Sequence, residues 1–174
     1  MILEKLIVAV AIIVSYFMQT SMDFFKLGDI SPDFLLLLTI YFAIHRGEFA
    51  GLWVGFFGGL LQDINFGTFS TMAVGSIQHY IGMNILPKSI VGYVTGKFSE
   101  KVRKDNILSL VILVFGFSIL KGLIKLLLTV LFFGSTTGQA IITVILPESF
   151  YNAILSIFWF KLLFWAIPPV DLRN

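Results

Sequence analysis

The sequence predicts an all-α, polytopic membrane protein: one integral domain over residues 1–174, folded as a bundle of six transmembrane helices. Three observations lead there. Of 174 residues, 57% are hydrophobic and 13% charged, with a mean hydropathy of +0.95; a soluble domain averages about 25% charged and about 45–50% apolar. Apolar runs recur along the whole chain, divided by short polar stretches. The basic residues cluster on alternate connections instead of forming an even coat. The net charge of +2 brings no basic face interleaved with exposed aromatics, so nucleic acid is not an expected partner. The absence of cysteine excludes disulfides, thiolate metal sites and palmitoylation.

A helix needs about 20 residues to cross the hydrocarbon core. The first segment, Ile2–Met22, is read as an uncleaved transmembrane helix: it opens with one Glu and one Lys, and no clear small-x-small cleavage site follows. A polar loop with Asp23, Lys26, Gly28 and Asp29 comes next. The second and third segments, Phe34–Ile44 and Phe49–Leu61, flank His45-Arg46-Gly47-Glu48 and form a hairpin. They rise only about 16 and 20 Å, against about 30 Å of hydrocarbon. Either the hairpin is re-entrant, with Arg46 near mid-membrane at about 2.5–3.5 kcal/mol, or it crosses a thinned bilayer. The fourth segment runs from about Ser70 to Ile90, with Pro87 bending or ending it, and a charged stretch, Lys97–Asp105, follows. The fifth, Ile107–Phe133, is long. A polar turn, Gly134–Gln139, leads to the sixth, Ala140–Ile167, which Pro147 interrupts and Pro168-Pro169 ends.

With the N-terminus in the cytoplasm, Lys5, Arg46, Lys97, Lys101, Arg103, Lys104 and Arg173 lie inside and Lys26 alone lies outside. This asymmetry predicts six crossings with both termini cytoplasmic. Lys88 is ambiguous, since it falls where the fourth segment ends.

Gly51, Gly55 and Gly59 share one face of the third segment, Gly47 begins it, and Gly92 and Gly96 repeat the spacing once. Small residues four apart let helices approach closely in lipid, where packing replaces the missing hydrophobic drive. Packing within the bundle is the favoured reading over a partner face. Ser31-Pro32-Asp33 reads as a helix start, with Ser31 as cap, Pro32 in the first position and Asp33 facing the helix dipole. Gln62-Asp63 closes its helix, where a negative charge opposes the dipole. Asp63 is therefore the stronger functional candidate of an acidic outer rim formed with Asp23, Asp29 and Asp33.

His45 and Glu48 lie beside Arg46 in a tight turn, read as an interfacial, topology-setting turn and not as acid/base machinery. Lys121 and Lys125 stand four apart on one face of the fifth segment, at a depth where charges face the bundle interior or a partner. Counting from the turn, Lys125 should meet Glu148, and Asn152 should approach Lys121. Lys161, near the cytoplasmic end, can snorkel. Gln78-His79 is polar for a membrane core, a contact for a ligand or a neighbouring helix. No catalytic, metal or cofactor constellation stands out, and no enzyme is expected.

Pro32-Asp33, an apolar run to Arg46-Gly47, a glycine-rich helix ending Gly59-Leu60-Leu61-Gln62-Asp63, then Gly67 and Gly92-Tyr93-Val94-Thr95-Gly96, together resemble the MreD family of rod shape-determining proteins. The positions that carry the likeness are Pro32, Asp33, Arg46, Gly47, Gly55, Gly59, Leu60, Gln62, Asp63, Gly67, Gly92 and Gly96; from Ile107 onward the match is only of hydrophobic helices. The resemblance implies a non-enzymatic subunit of the bacterial cell-elongation machinery in the cytoplasmic membrane. It would bind MreC and link MreB filaments to the peptidoglycan synthase RodA and its penicillin-binding partner. The Lys97–Lys104 cluster is read from its charge as setting topology and binding anionic lipid rather than docking a protein. MreD proteins also resemble the six-helix S components of energy-coupling-factor transporters. That likeness gives the rival expectation, a vitamin-type solute bound near Gln78, His79 and the outer loops.

Overall fold

The computed structural model describes residues 2–21, 30–64, 82–99, 106–134 and 141–167. Gln78, His79, Gly67, the loop acids Asp23 and Asp29, and the basic residues of 101–104 lie outside the described residues. Among the described residues six α-helices follow in order: α1 (Ile2–Ser21), α2 (Phe34–Arg46), α3 (Glu48–Asp63), α4 (Ile85–Phe98), α5 (Ile107–Phe133) and α6 (Leu146–Ala166), the last preceded by a π-helical turn, Ile141–Ile145.

The centre of the fold is α2. Every residue from Phe34 to Ile44 is buried, as expected of a helix apolar all round. It packs against α1, α3, α4, α5 and α6. Tyr41, Phe42 and Phe34 are its largest filled positions, and Phe34 meets Trp159 of α6 at 4.8 Å between ring centroids. The Tyr41 hydroxyl donates to the Ile167 carbonyl at 2.7 Å, joining the C-terminal ends of α2 and α6.

Gly47 turns the chain from α2 into α3 with φ of 88°, a left-handed conformation that only glycine adopts without strain. Its N–H donates to Ala43 O and closes α2. Arg46 lies over the Phe42 ring at 5.3 Å. The glycine ladder of α3 faces α4. A methyl on Gly51 would lie 2.6 Å from Gly92 O, and one on Gly59 2.6 Å from Ile85 Cα. Gly55 abuts the Lys88 backbone, Gly92 abuts Gly51, and Gly96 abuts Glu48. No side chain fits at this seam, which is why α3 and α4 are the most intimately packed pair.

Several expected boundaries move: α2 and α3 run two residues past their expected ends, and Pro147 sits in the first turn of α6, which begins at Leu146, rather than interrupting it. The cap of α2 is Asp33, not Ser31: the Asp33 carboxylate accepts from Leu36 N–H at 3.0 Å and its carbonyl accepts from Leu37 N–H. The described part of the fourth segment is helical from Ile85 to Phe98, beyond the expected end at Ile90. Pro87 sits in its first turn, where its missing N–H breaks no bond. The fifth helix runs Ile107–Phe133 and closes on Gly134 with φ of 71°.

Candidate functional site: a buried charge centre

The chain places six ionisable side chains at the end of the bundle where α2, α4 and α6 begin. Asp33 is the hub, fully enclosed at the head of α2. One of its oxygens accepts from Lys88 Nζ of α4 at 2.6 Å and the other from Lys121 Nζ of α5 at 3.1 Å. Lys88 is also bonded to Gln62 Oε1 of α3, and Lys121 to Glu148 of α6. The backbone N–H of Asp33 donates to Asn152 Oδ1 of α6 at 2.9 Å, and Asn152 Nδ2 reaches Ser118 of α5 at 3.5 Å. One network centred on this carboxylate thus joins five helices. Asp33, Glu148, Lys88 and Lys121 sum to zero charge. That balance, with excellent geometry and further hydrogen bonds, makes burial of ions tolerable.

A second cluster adjoins the first. Asp63, buried at the end of α3, accepts from Gly82 N–H at 2.8 Å, Asn84 N–H at 3.1 Å, Asn84 Nδ2 at 2.8 Å and Ile85 N–H at 3.2 Å. It therefore caps α4, a structural partner invisible from its own helix, and its carboxylate is occupied rather than presented as a rim. Lys125 Nζ donates to Asn84 Oδ1 at 3.4 Å.

The expected Lys125–Glu148 pair is replaced by Lys121–Glu148. Along the antiparallel α5–α6 pair, Ser118 faces Asn152, Lys121 faces Glu148, and Gly122 faces Ile145. The register is set by the close approach of Gly122 to Ile145, where a methyl would lie 2.6 Å from Ile145 Cγ2, and it stands one turn from the midpoint of the connection. Asn152 accordingly meets Asp33 and Ser118 instead of Lys121. Gly51, Gly55, Gly59, Gly92 and Gly96 form the α3–α4 seam, and Arg46 lies at the opposite end from the charge centre. Sequence reasoning missed Lys88 and Asn84 as members of the site. The sequence places Lys88 at the end of the fourth segment, where a lysine can reach solvent, and only the start of α4 at Ile85 puts it in a first turn beside Asp33.

An all-helical bundle with two helices, Ile107–Phe132 and Ile141–Ala166, long and apolar enough to cross a membrane and mostly exposed along their apolar faces, closed around a neutral ionic centre, belongs to the class of packed integral membrane proteins. The family model described as rod shape-determining protein MreD matches residues 1–166, and the chain belongs to that family. It is a shape-determining family, not one known for enzymes. No curated protein and no solved structure matches.

Proposed function

We propose that this chain is a non-enzymatic scaffold and regulatory subunit of the bacterial cell-elongation complex. In this reading it binds MreC directly. Through MreC it links MreB filaments to peptidoglycan synthesis by RodA and its penicillin-binding partner. The bundle crosses the cytoplasmic membrane six times, in the manner of S components, with both termini inside and the charge centre at the extracytoplasmic end. The family match over residues 1–166 supports the rod-shape role from which this reading is extended. The position of Arg46 and Lys97 together at the other end supports the orientation.

The packing supports a partner face on α3. Its glycine ladder, Gly51, Gly55 and Gly59, is consumed by α4, and the opposite face exposes Phe49, Trp53 and Phe57, with Trp53 and Phe57 stacked at 5.8 Å. A transmembrane helix of MreC laid along this ridge would gain aromatic packing area at low side-chain entropy. Pull-down from native membranes, with mass spectrometry of proteins and small molecules, tests the reading. MreC should co-purify, and a W53A/F57A variant should recover several-fold less of it. Recovery of a bound vitamin without MreC would replace the scaffold by the solute-binding alternative.

A further inference from the structure

One face of α5 runs from buried to exposed. Val114, Ser118 and Lys121 are buried on it, whereas Lys125 and Phe132 are exposed; their spacings of three, four and seven residues keep all five on one side of the helix. The change falls where the neighbouring helices stop. α2, α3 and α4 have 13, 16 and 14 residues, which rise about 20, 24 and 21 Å, whereas the 27 residues of α5 rise about 40 Å. A hydrocarbon core of about 30 Å thins beside short helices. Headgroups are thereby drawn toward the level of Asp63 and Asn84, beside the outer turns of α5.

Lys125 stands at that level with capacity to spare. Its ammonium has three donors, and among the described residues it contacts Asn84 Oδ1 and no carboxylate. Lys88, by contrast, holds Asp33, and Lys121 holds both Asp33 and Glu148. Asn84 is fixed, because its side-chain and backbone N–H groups both donate to Asp63. The three described carboxylates of this end are held by other groups: Asp33 by Lys88 and Lys121, Glu148 by Lys121, and Asp63 by the N-terminus of α4.

We propose that Lys125, oriented by Asn84, binds the phosphate of an anionic lipid headgroup at the end of the bundle where α2, α4 and α6 begin. The site is independent of MreC binding. The short helices bring the phosphate down, and the lysine supplies an ammonium that contacts no described carboxylate directly.

The test uses the full chain, delipidated and returned to nanodiscs of dioleoyl phosphatidylcholine with or without dioleoyl phosphatidylglycerol. Native mass spectrometry should show preferential retention of phosphatidylglycerol, and K125Q should lower that preference about fivefold, the worth of one lysine at a membrane surface. K125R should retain it, and K161Q, at the far end of α6, should leave it unchanged. For the wild type alone, phosphatidylglycerol should raise the thermal midpoint above that in phosphatidylcholine, a readout independent of how K125Q folds. Equal retention by wild type and K125Q, or no midpoint difference between the lipids, would overturn the proposal. Displacement of the lipid by millimolar inorganic phosphate, or by an oligoglutamate peptide, would overturn the lipid assignment in favour of a free anion or a protein carboxylate.

Discussion

Replacing Asp33 by asparagine separates its two roles. Asparagine caps a helix about as well as aspartate, so the start of α2 survives, and the side chain keeps an oxygen for Leu36 N–H. What disappears is the charge that Lys88 and Lys121 share. Lys121 retains Glu148, but Lys88, whose side chain is 0% exposed, is left with neutral oxygens only. Removing one partner of a buried pair costs about 3–5 kcal/mol, which for a chain of this size lowers the thermal midpoint by about 10 °C. The double variant D33N/K88M removes both charges, fills the space of the lysine stem with an apolar chain, and leaves Lys121–Glu148 as a neutral pair. Apolar replacement of a whole buried pair is often nearly neutral, so the double variant should recover at least about half of the loss. Thermal unfolding of the detergent-solubilised full chain, in a double-mutant cycle with K88M, reads the coupling. If D33N lies within about 1 kcal/mol of wild type, or the double variant loses the sum of the two single losses, the centre is not the ionic hub described.

Other substitutions discriminate between neighbouring positions. K121Q removes the shared cation between Asp33 and Glu148 and should cost about 3–5 kcal/mol, whereas exposed K125Q should stay within about 1 kcal/mol, both read by the same unfolding assay. G92A would drive a methyl into the Gly51 backbone and should destabilise by about 1–3 kcal/mol, visible as a lower midpoint. G116A meets nothing within 4 Å and should instead stabilise α5 by about 0.5–1 kcal/mol. G47A, at φ of 88°, should cost about 1–2 kcal/mol through left-handed strain alone, since open space surrounds it.

Helix periodicity and composition made most of the elements legible. α5 falls at the residues expected, and α1 within one residue. The glycine spacing announced a close seam, though only the structure supplies its partner, because Gly92 and Gly96 showed the repeat just once. The site was harder to read, for a physical reason. Asp33 had a sufficient local explanation as a helix-start residue, and nothing in one-dimensional spacing reveals that a cap also accepts two ammonium groups from helices 55 and 88 residues away. Asp63 shows the reverse case. It opposed the dipole of its own helix and invited a functional reading, yet it caps the next one. Lys125 and Glu148 were paired by counting from the hairpin turn, but the contact of Gly122 with Ile145 sets the register.

The placement of these groups explains how a small bundle fixes its own register without a hydrophobic drive between helices in lipid. Apolar helix faces tolerate sliding, since one leucine resembles the next. Two polar contacts do not tolerate it: Asp33 N–H to Asn152 near one end of α2, and the Tyr41 hydroxyl to Ile167 O toward the other. A slip of α6 by one turn, about 5.4 Å, would break both and carry Glu148 away from Lys121. It would leave a buried backbone donor and a buried hydroxyl without their acceptors at once, and Lys121 with Asp33 alone. The ionic centre and the glycine seam divide the task. Backbone contact holds α3 against α4, where no side chain can intervene, and charge holds α5 and α6 against α2, where apolar packing alone permits several registers. A surface that must present the same face to a partner helix needs both, because the α3 ridge keeps its aspect only while α2 and α4 behind it stay in register.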